Sequence, residues 1–281
     1  MDTRARTGRA DALGAPFEVL EPSTPAVPVV VHVPHSSVVV PPRVRRELLL
    51  NEAELDAELH RMTDHHTDAL VGGAGALGVT RFVNRRSRLV VDPERFDDPG
   101  AEELETVGMG AVYTATSHGL PLRVLTPAGR DELLAAYFHP YHAAFTAWVD
   151  RQLEMHGSCL IVDVHSYPSR ALPYELRGDG PRPELCIGTD PTHTPDRLRD
   201  RVAELADQHG VTTGFDTPFR GTFVPARHIG DPRVRSVMLE IRRDTYLHEP
   251  TAELHEGFER MARVCRDVLA AVARPAPSTH Q

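Results

Sequence analysis

Apolar positions along the chain follow two alternating rhythms. Short runs rich in Val, Ile and Leu at residues 29–33, 79–83, 89–91, 159–164, 185–187 and 236–241 are strand-sized. Between them, apolar residues recur at helical spacing over 52–71, 130–155, 194–209 and 251–272. Asn51 is placed to cap the first of these helices, and Pro195 suits the first turn of the third. Pro140 predicts a break near Phe138 in the second, because a proline has no N–H to donate and crowds the preceding turn. This alternation predicts an α/β fold, a three-layer sandwich around a mixed central sheet. Residues 1–25 and 273–281 lack sustained periodicity and read as an irregular arm and a flexible tail, leaving 26–272 as a single domain.

Composition narrows the function classes. The chain has 281 residues, is 41% hydrophobic and 25% charged, and so can bury a substantial core. No apolar run approaches the ~20 residues of a membrane span. The N-terminal segment lacks the apolar stretch of a secretory signal, which makes a cytoplasmic location the expectation. A net charge of −9 disfavours nucleic acid as a partner. An anionic small molecule remains compatible, since all 31 basic residues are arginine, the side chain suited to gripping carboxylates in pairs of hydrogen bonds. Cys159, Cys186 and Cys265 are widely spaced and read as buried small apolar residues. No glycine-rich phosphate loop follows any strand.

Candidate chemistry gathers where apolar runs end. His35 and Ser36 follow the 29–33 run, Asp163 and His165 close the 159–164 run, and Glu240 lies in the 236–241 run. Ligands of α/β sheets bind beyond the carboxyl ends of strands, so imidazoles and acids there have a role that packing does not supply. Two histidines and a carboxylate form a common catalytic zinc set with one position left for water. His35 and His165 are the imidazole candidates. Asp64 and Asp68, one helical turn apart, compete as the carboxylate. Asp163 stands either as a partner that orients His165 or as a ligand itself. Glu240 is the candidate general base. Arg88 and Arg95 flank the 89–91 run and are the candidate clamps for a substrate carboxylate, with Asp92 orienting one of them; Arg220, near another strand end, and Ser36 are further candidates for substrate contact. His139 and His142 have ligand-like spacing but lie in an aromatic stripe without an acid to complete a set.

Five segments, in order, carry a resemblance. His32-Val33-Pro34-His35-Ser36-Ser37 resembles "vPHSG", and Asp64-His65-His66-Thr67-Asp68-Ala69-Leu70 resembles "DtDwgvDeLy". Ser87 to Arg95 is similar to "sRyvvDlNR", Ile161 to Pro168 to "liDlHSmp", and Met238-Leu239-Glu240-Ile241-Arg242 to "lqlEinr". Together with Pro218-Phe219-Arg220-Gly221, they resemble the N-formylglutamate amidohydrolase family. The resemblance implies a phosphorylase/hydrolase-like fold akin to zinc carboxypeptidases, and hydrolysis of an acidic N-formyl (or other N-acyl) amino acid such as N-formyl-L-glutamate to formate and the free amino acid. It also implies a divalent metal, zinc first, on His35, Asp64 and His165, with Glu240 as base. Ser37 stands where the family motif has Gly, and Pro93-Glu94 where it has Leu-Asn. Two rival readings are a serine hydrolase using Ser36 or Ser166, for which no nucleophile-elbow motif is present, and a non-catalytic binder of an acidic small molecule.

Overall fold

The structure is a computed structural model and describes residues 14–273. Seven strands form one sheet: β1 (Phe17–Leu20), β2 (Val29–Val33), β3 (Thr80–Asn84), β4 (Cys159–Tyr167), β5 (Leu185–Gly188), β6 (Thr213–Phe215) and β7 (Val234–Arg242). Their order is β1-β3-β2-β4-β7-β5-β6. The β3-β2-β4-β7 centre is parallel, β1 and β5 join their neighbours antiparallel, and β6 runs parallel to β5. Among the described residues seven α-helices accompany it: α1 (Pro42–Arg45), α2 (Glu52–Met62), α3 (Thr67–Leu70), α4 (Pro127–Leu133), α5 (His139–His156), α6 (Asp196–Gln208) and α7 (Gly257–Ala273).

Helices lie on both faces of this mixed sheet. Because strand side chains alternate, Val29, Val31 and Val33 with Leu160, Val162, Val164, Val237 and Leu239 pack toward α6 and α7. Val30, Ile161 and Val234 pack toward Tyr141, Phe145 and Trp148 of α5. Polar residues on that second face, His32, Asp163, His165 and Glu240, therefore emerge together. The β4–β7 register sets His165 against Glu240, and the β2–β4 register sets His32 against Asp163.

Four segments depart from the pattern-based expectation. The 52–71 helix starts as expected, with Asn51 and Glu54 closing a reciprocal cap, but ends at Met62; Thr63 is extended and His66 has a positive φ before α3 begins. Residues 89–91 form a buried turn instead of a strand, because Ser87 takes Leu89 N–H on its hydroxyl and Val90 N–H on its carbonyl. The last helix begins only at Gly257, since Leu247–His248 (β8) and Glu253–Leu254 (β9) pair as a small hairpin. Within the arm expected to be irregular, β1 forms by pairing with β3 and stacking Phe17 on Phe82, ring centres 5.2 Å apart. Residues 1–13 and 274–281, the first part of the expected arm and most of the expected tail, lie outside the described residues. The break foreseen from Pro140 is a π-helical segment at Leu134–Phe138 between α4 and α5. Among the described residues no helix is long and apolar enough to cross a membrane.

Phe145 joins core to site, since its ring meets Phe82 at 4.7 Å and His32 edge-on at 5.0 Å. Phe145→Ala is expected to lower stability by about 3–5 kcal/mol, read as a shifted urea midpoint with unchanged slope.

Candidate active site

Each site residue arrives from a different element. His35 stands two residues beyond the end of β2, and its carbonyl accepts the backbone N–H of Asp64, 3.0 Å away, which ties the turn after α2 to the end of β2. Asp64 reaches the site because the helix has already ended; the shared helical face expected for Asp64 and Asp68 does not exist. Asp68 lies in α3 with its side chain 37% exposed, 3.4 Å from Arg85. It takes no part in the cluster.

The three ligand-type atoms converge. His35 Nδ1 lies 3.2 Å from His165 Nδ1, His165 Nδ1 lies 3.2 Å from Asp64 Oδ2, and His35 Nδ1 lies 3.6 Å from the same oxygen. The far side of each ring faces only acids. His35 Nε2 meets Asp92 Oδ1 at 2.8 Å, and His165 Nε2 meets Glu94 Oε2 at 2.9 Å and Asp163 Oδ1 at 3.1 Å. Carboxylates accept, so both Nε2 atoms must carry hydrogen, and both Nδ1 lone pairs turn toward Asp64. Three lone pairs aimed at one buried point repel unless a cation or a proton sits among them. Without a metal, His165 takes that proton: burial opposes it, but Glu94 and Asp163 hold its pKa well above the ordinary imidazole value. Burial likewise works to raise Asp64, yet the hydrogen bond from protonated His165 and the charge of Arg243 carry it well below the carboxylate range. Tetrahedral zinc with bonds of ~2.0–2.2 Å sets its ligand atoms roughly 3.3–3.6 Å apart, so this set fits such an ion.

The surrounding groups fix the cluster. Arg243 donates to Asp64 Oδ1 at 3.1 Å and to the Arg61 carbonyl at 2.6 Å. Arg88 binds Asp92 Oδ2 through Nε at 3.1 Å and Nη2 at 2.7 Å, and Tyr113 donates to that oxygen at 2.5 Å. Arg95 Nε is 3.8 Å from the same carboxylate. Asp163 also joins His32 Nδ1 at 2.9 Å and accepts the Phe223 N–H at 3.1 Å.

Glu240 is buried on β7 and lines a cavity of about 640 Å³ that also reaches His35, Asp64, His165, Arg88 and Arg95. Burial, helped by the charge of Asp64, pushes its carboxyl up to about 8 against the pull of His165 and Arg243. Arg220 lines the rim, 60% exposed. Ser36, expected to touch substrate, lines a separate cleft with Arg85 and Arg86. Ser166 lines the main cavity, and its hydroxyl accepts from Arg243 Nε at 3.3 Å. Neither placement makes a nucleophile. Sequence pattern alone assigns no site role to Glu94, Arg243 or Tyr113. For Glu94 the available signal was its place in the arginine segment, where an acid replaces an amide.

The family model for N-formylglutamate amidohydrolase matches residues 27–247. An N-formylglutamate deformylase of Pseudomonas putida is 30% identical over 236 residues, which are 79% of this chain and 83% of that protein. The crystal structure of an N-formylglutamate amidohydrolase from Ralstonia eutropha JMP134 superposes with a TM-score of 0.81 at 28% identity, covering 92% of this chain and 97% of that one. A gene product of Agrobacterium tumefaciens shares the fold, with a TM-score of 0.65 at 19% identity over 94% of this chain and 99% of its own.

The raised Glu240 pKa has a stability consequence. The unfolded carboxyl ionises near 4.5 while the folded one holds its proton to about 8. The unfolded state therefore gains as pH rises through that window, and the cost saturates above it, at an order of a few kcal/mol. In chelator-treated protein, Glu240→Gln should raise the thermal midpoint relative to the parent, by a margin that grows from pH 5 to pH 8. A margin independent of pH would contradict the assignment.

Proposed function

The chain belongs to the N-formylglutamate amidohydrolase family, and from that premise we propose that it is a metal-dependent enzyme hydrolysing the amide bond of an N-formyl or other N-acyl amino acid such as N-formyl-L-glutamate. The observation that carries this reading is the convergence of His35 Nδ1, His165 Nδ1 and Asp64 Oδ2 on one buried point beside Glu240. The family likeness of the ordered motifs supports extending the expected zinc carboxypeptidase-like layout to the site. His35, Asp64 and His165 would hold the ion, with Asp92, Asp163 and Glu94 orienting the two imidazoles. A divalent metal there, zinc first, supplies a Lewis acid for the substrate carbonyl and lowers the pKa of water toward ~7.

The protein groups do the rest. Glu240, neutral in the metal-free site even beside protonated His165, would lose its proton once a divalent charge takes the place of that proton, and as carboxylate it takes a proton from the attacking water. Water oxygen bonds to the acyl carbon, the C–N bond breaks, and Glu240 returns the proton to the amine nitrogen. Arg88 and Arg95 grip the carboxylate of the amino-acid portion. Arg243 holds Asp64 in place and contributes fixed positive charge. Burial keeps bulk water away from the reacting groups, which strengthens each of these interactions.

Chelation should abolish hydrolysis of N-acyl amino acids, and added zinc should restore it. Glu240→Gln should keep its metal and lose about 10²–10⁴-fold in kcat, whereas His165→Ala should lose metal and activity together. Full metal content with full activity in His165→Ala would sink the reading.

A further inference from the structure

The cavity offers one charge too few, and too much apolar surface, for a substrate with two carboxylates. Five arginines line it. Arg61 is paired with Glu58 at 2.9 Å and Arg243 with Asp64 at 3.1 Å. Arg220 stands on the exposed rim, 3.9 Å from Glu103 and open to solvent screening. Arg88 and Arg95 remain, and they share the single carboxylate of Asp92 at 2.7 and 3.8 Å. Two guanidiniums and one carboxylate leave one positive charge, matched to one substrate carboxylate. Glu94 adds negative charge to the same wall, with a carboxylate oxygen 2.9 Å from His165.

Away from these charges the wall changes character. Phe138, Phe219 and Phe223 line it, and Phe96 and Ile229 are 53% and 59% exposed beside them. His142 belongs to the same surface: its ring stacks on Phe138 at 4.0 Å, and burial pushes its pKa down to about 4, so it is an uncharged aromatic plate at neutral pH. Exposed large apolar side chains at a cavity mouth mark a surface that a ligand covers.

We infer that the preferred substrate is an N-acyl amino acid with a single carboxylate and a bulky apolar side chain, the carboxylate held by Arg88 and Arg95 and the side chain lying on the Phe96–Phe138–Phe219–Phe223 wall. The inference rests on the amidohydrolase reading of the same site and narrows its substrate class.

The test compares N-formyl-L-phenylalanine, N-formyl-L-leucine and N-formyl-L-glutamate in two ways: kcat/KM with the metal-loaded enzyme, and calorimetric affinity for metal-loaded Glu240→Gln, in which turnover is blocked. Both apolar compounds are expected to bind at least tenfold tighter than N-formyl-L-glutamate and to be turned over with at least tenfold higher kcat/KM. Phe219→Ala should shrink that ratio several-fold, and Arg95→Ala should weaken all three ligands. Equal or greater affinity for N-formyl-L-glutamate overturns the inference. Should the enzyme hydrolyse none of the three, the amidohydrolase reading falls, while the affinity order still decides the substrate class.

Discussion

Two imidazole nitrogens and a carboxylate oxygen share one buried point, and most of the surrounding structure exists to make that tolerable. His35 and His165 cannot relieve the crowding by changing tautomer, because Asp92 on one side and Asp163 with Glu94 on the other require hydrogen on both Nε2 atoms. The acids thus aim the lone pairs inward. Buried acids need cations in turn, and Arg88 on Asp92 and Arg243 on Asp64 supply them. Removing any one of these groups leaves a buried charge without its counterpart, an expensive state in a low-dielectric interior.

The sheet makes the cluster rigid. His165 and Glu240 sit side by side on parallel strands whose alternate residues are locked into the apolar layer beneath α6 and α7. The opposite face is closed by α5 over part of its length, through Tyr141, Phe145 and Trp148. The cavity opens where that cover gives way: Asp163, His165 and Glu240 line it, while Ile161 and Val234, earlier on the same strands and the same face, pack in the core. Site and core are built from the same strands, separated only by position along them.

That arrangement explains what could be read from residues alone. Strand termini are legible because apolar runs end in polar clusters, and His35, His165 and Glu240 all lie on or just after such runs. Periodicity over 52–71 puts Asp64 on a continuous helix, since nothing in it announces that the chain becomes extended at Thr63. The competition between Asp64 and Asp68 follows from that one assumption. The 89–91 run looked like a strand because a short apolar stretch has no period of its own, and only the Ser87 hydrogen bonds reveal a turn. Glu94 and Tyr113 reach the centre through loops 71 and 52 residues before His165 in the chain. Tertiary contacts of that span leave no local pattern.

The central claim is that His35, Asp64 and His165 bind a divalent cation by expelling the proton that His165 otherwise holds. The direct measurement is calorimetric titration of metal-free protein with zinc in buffers of different ionisation enthalpy, beside Asp64→Asn. The account predicts one tight equivalent with release of about two protons near neutral pH, one from His165 and one from Glu240, and marked weakening in Asp64→Asn. No saturable binding to the parent protein, or equal binding by Asp64→Asn, would contradict it.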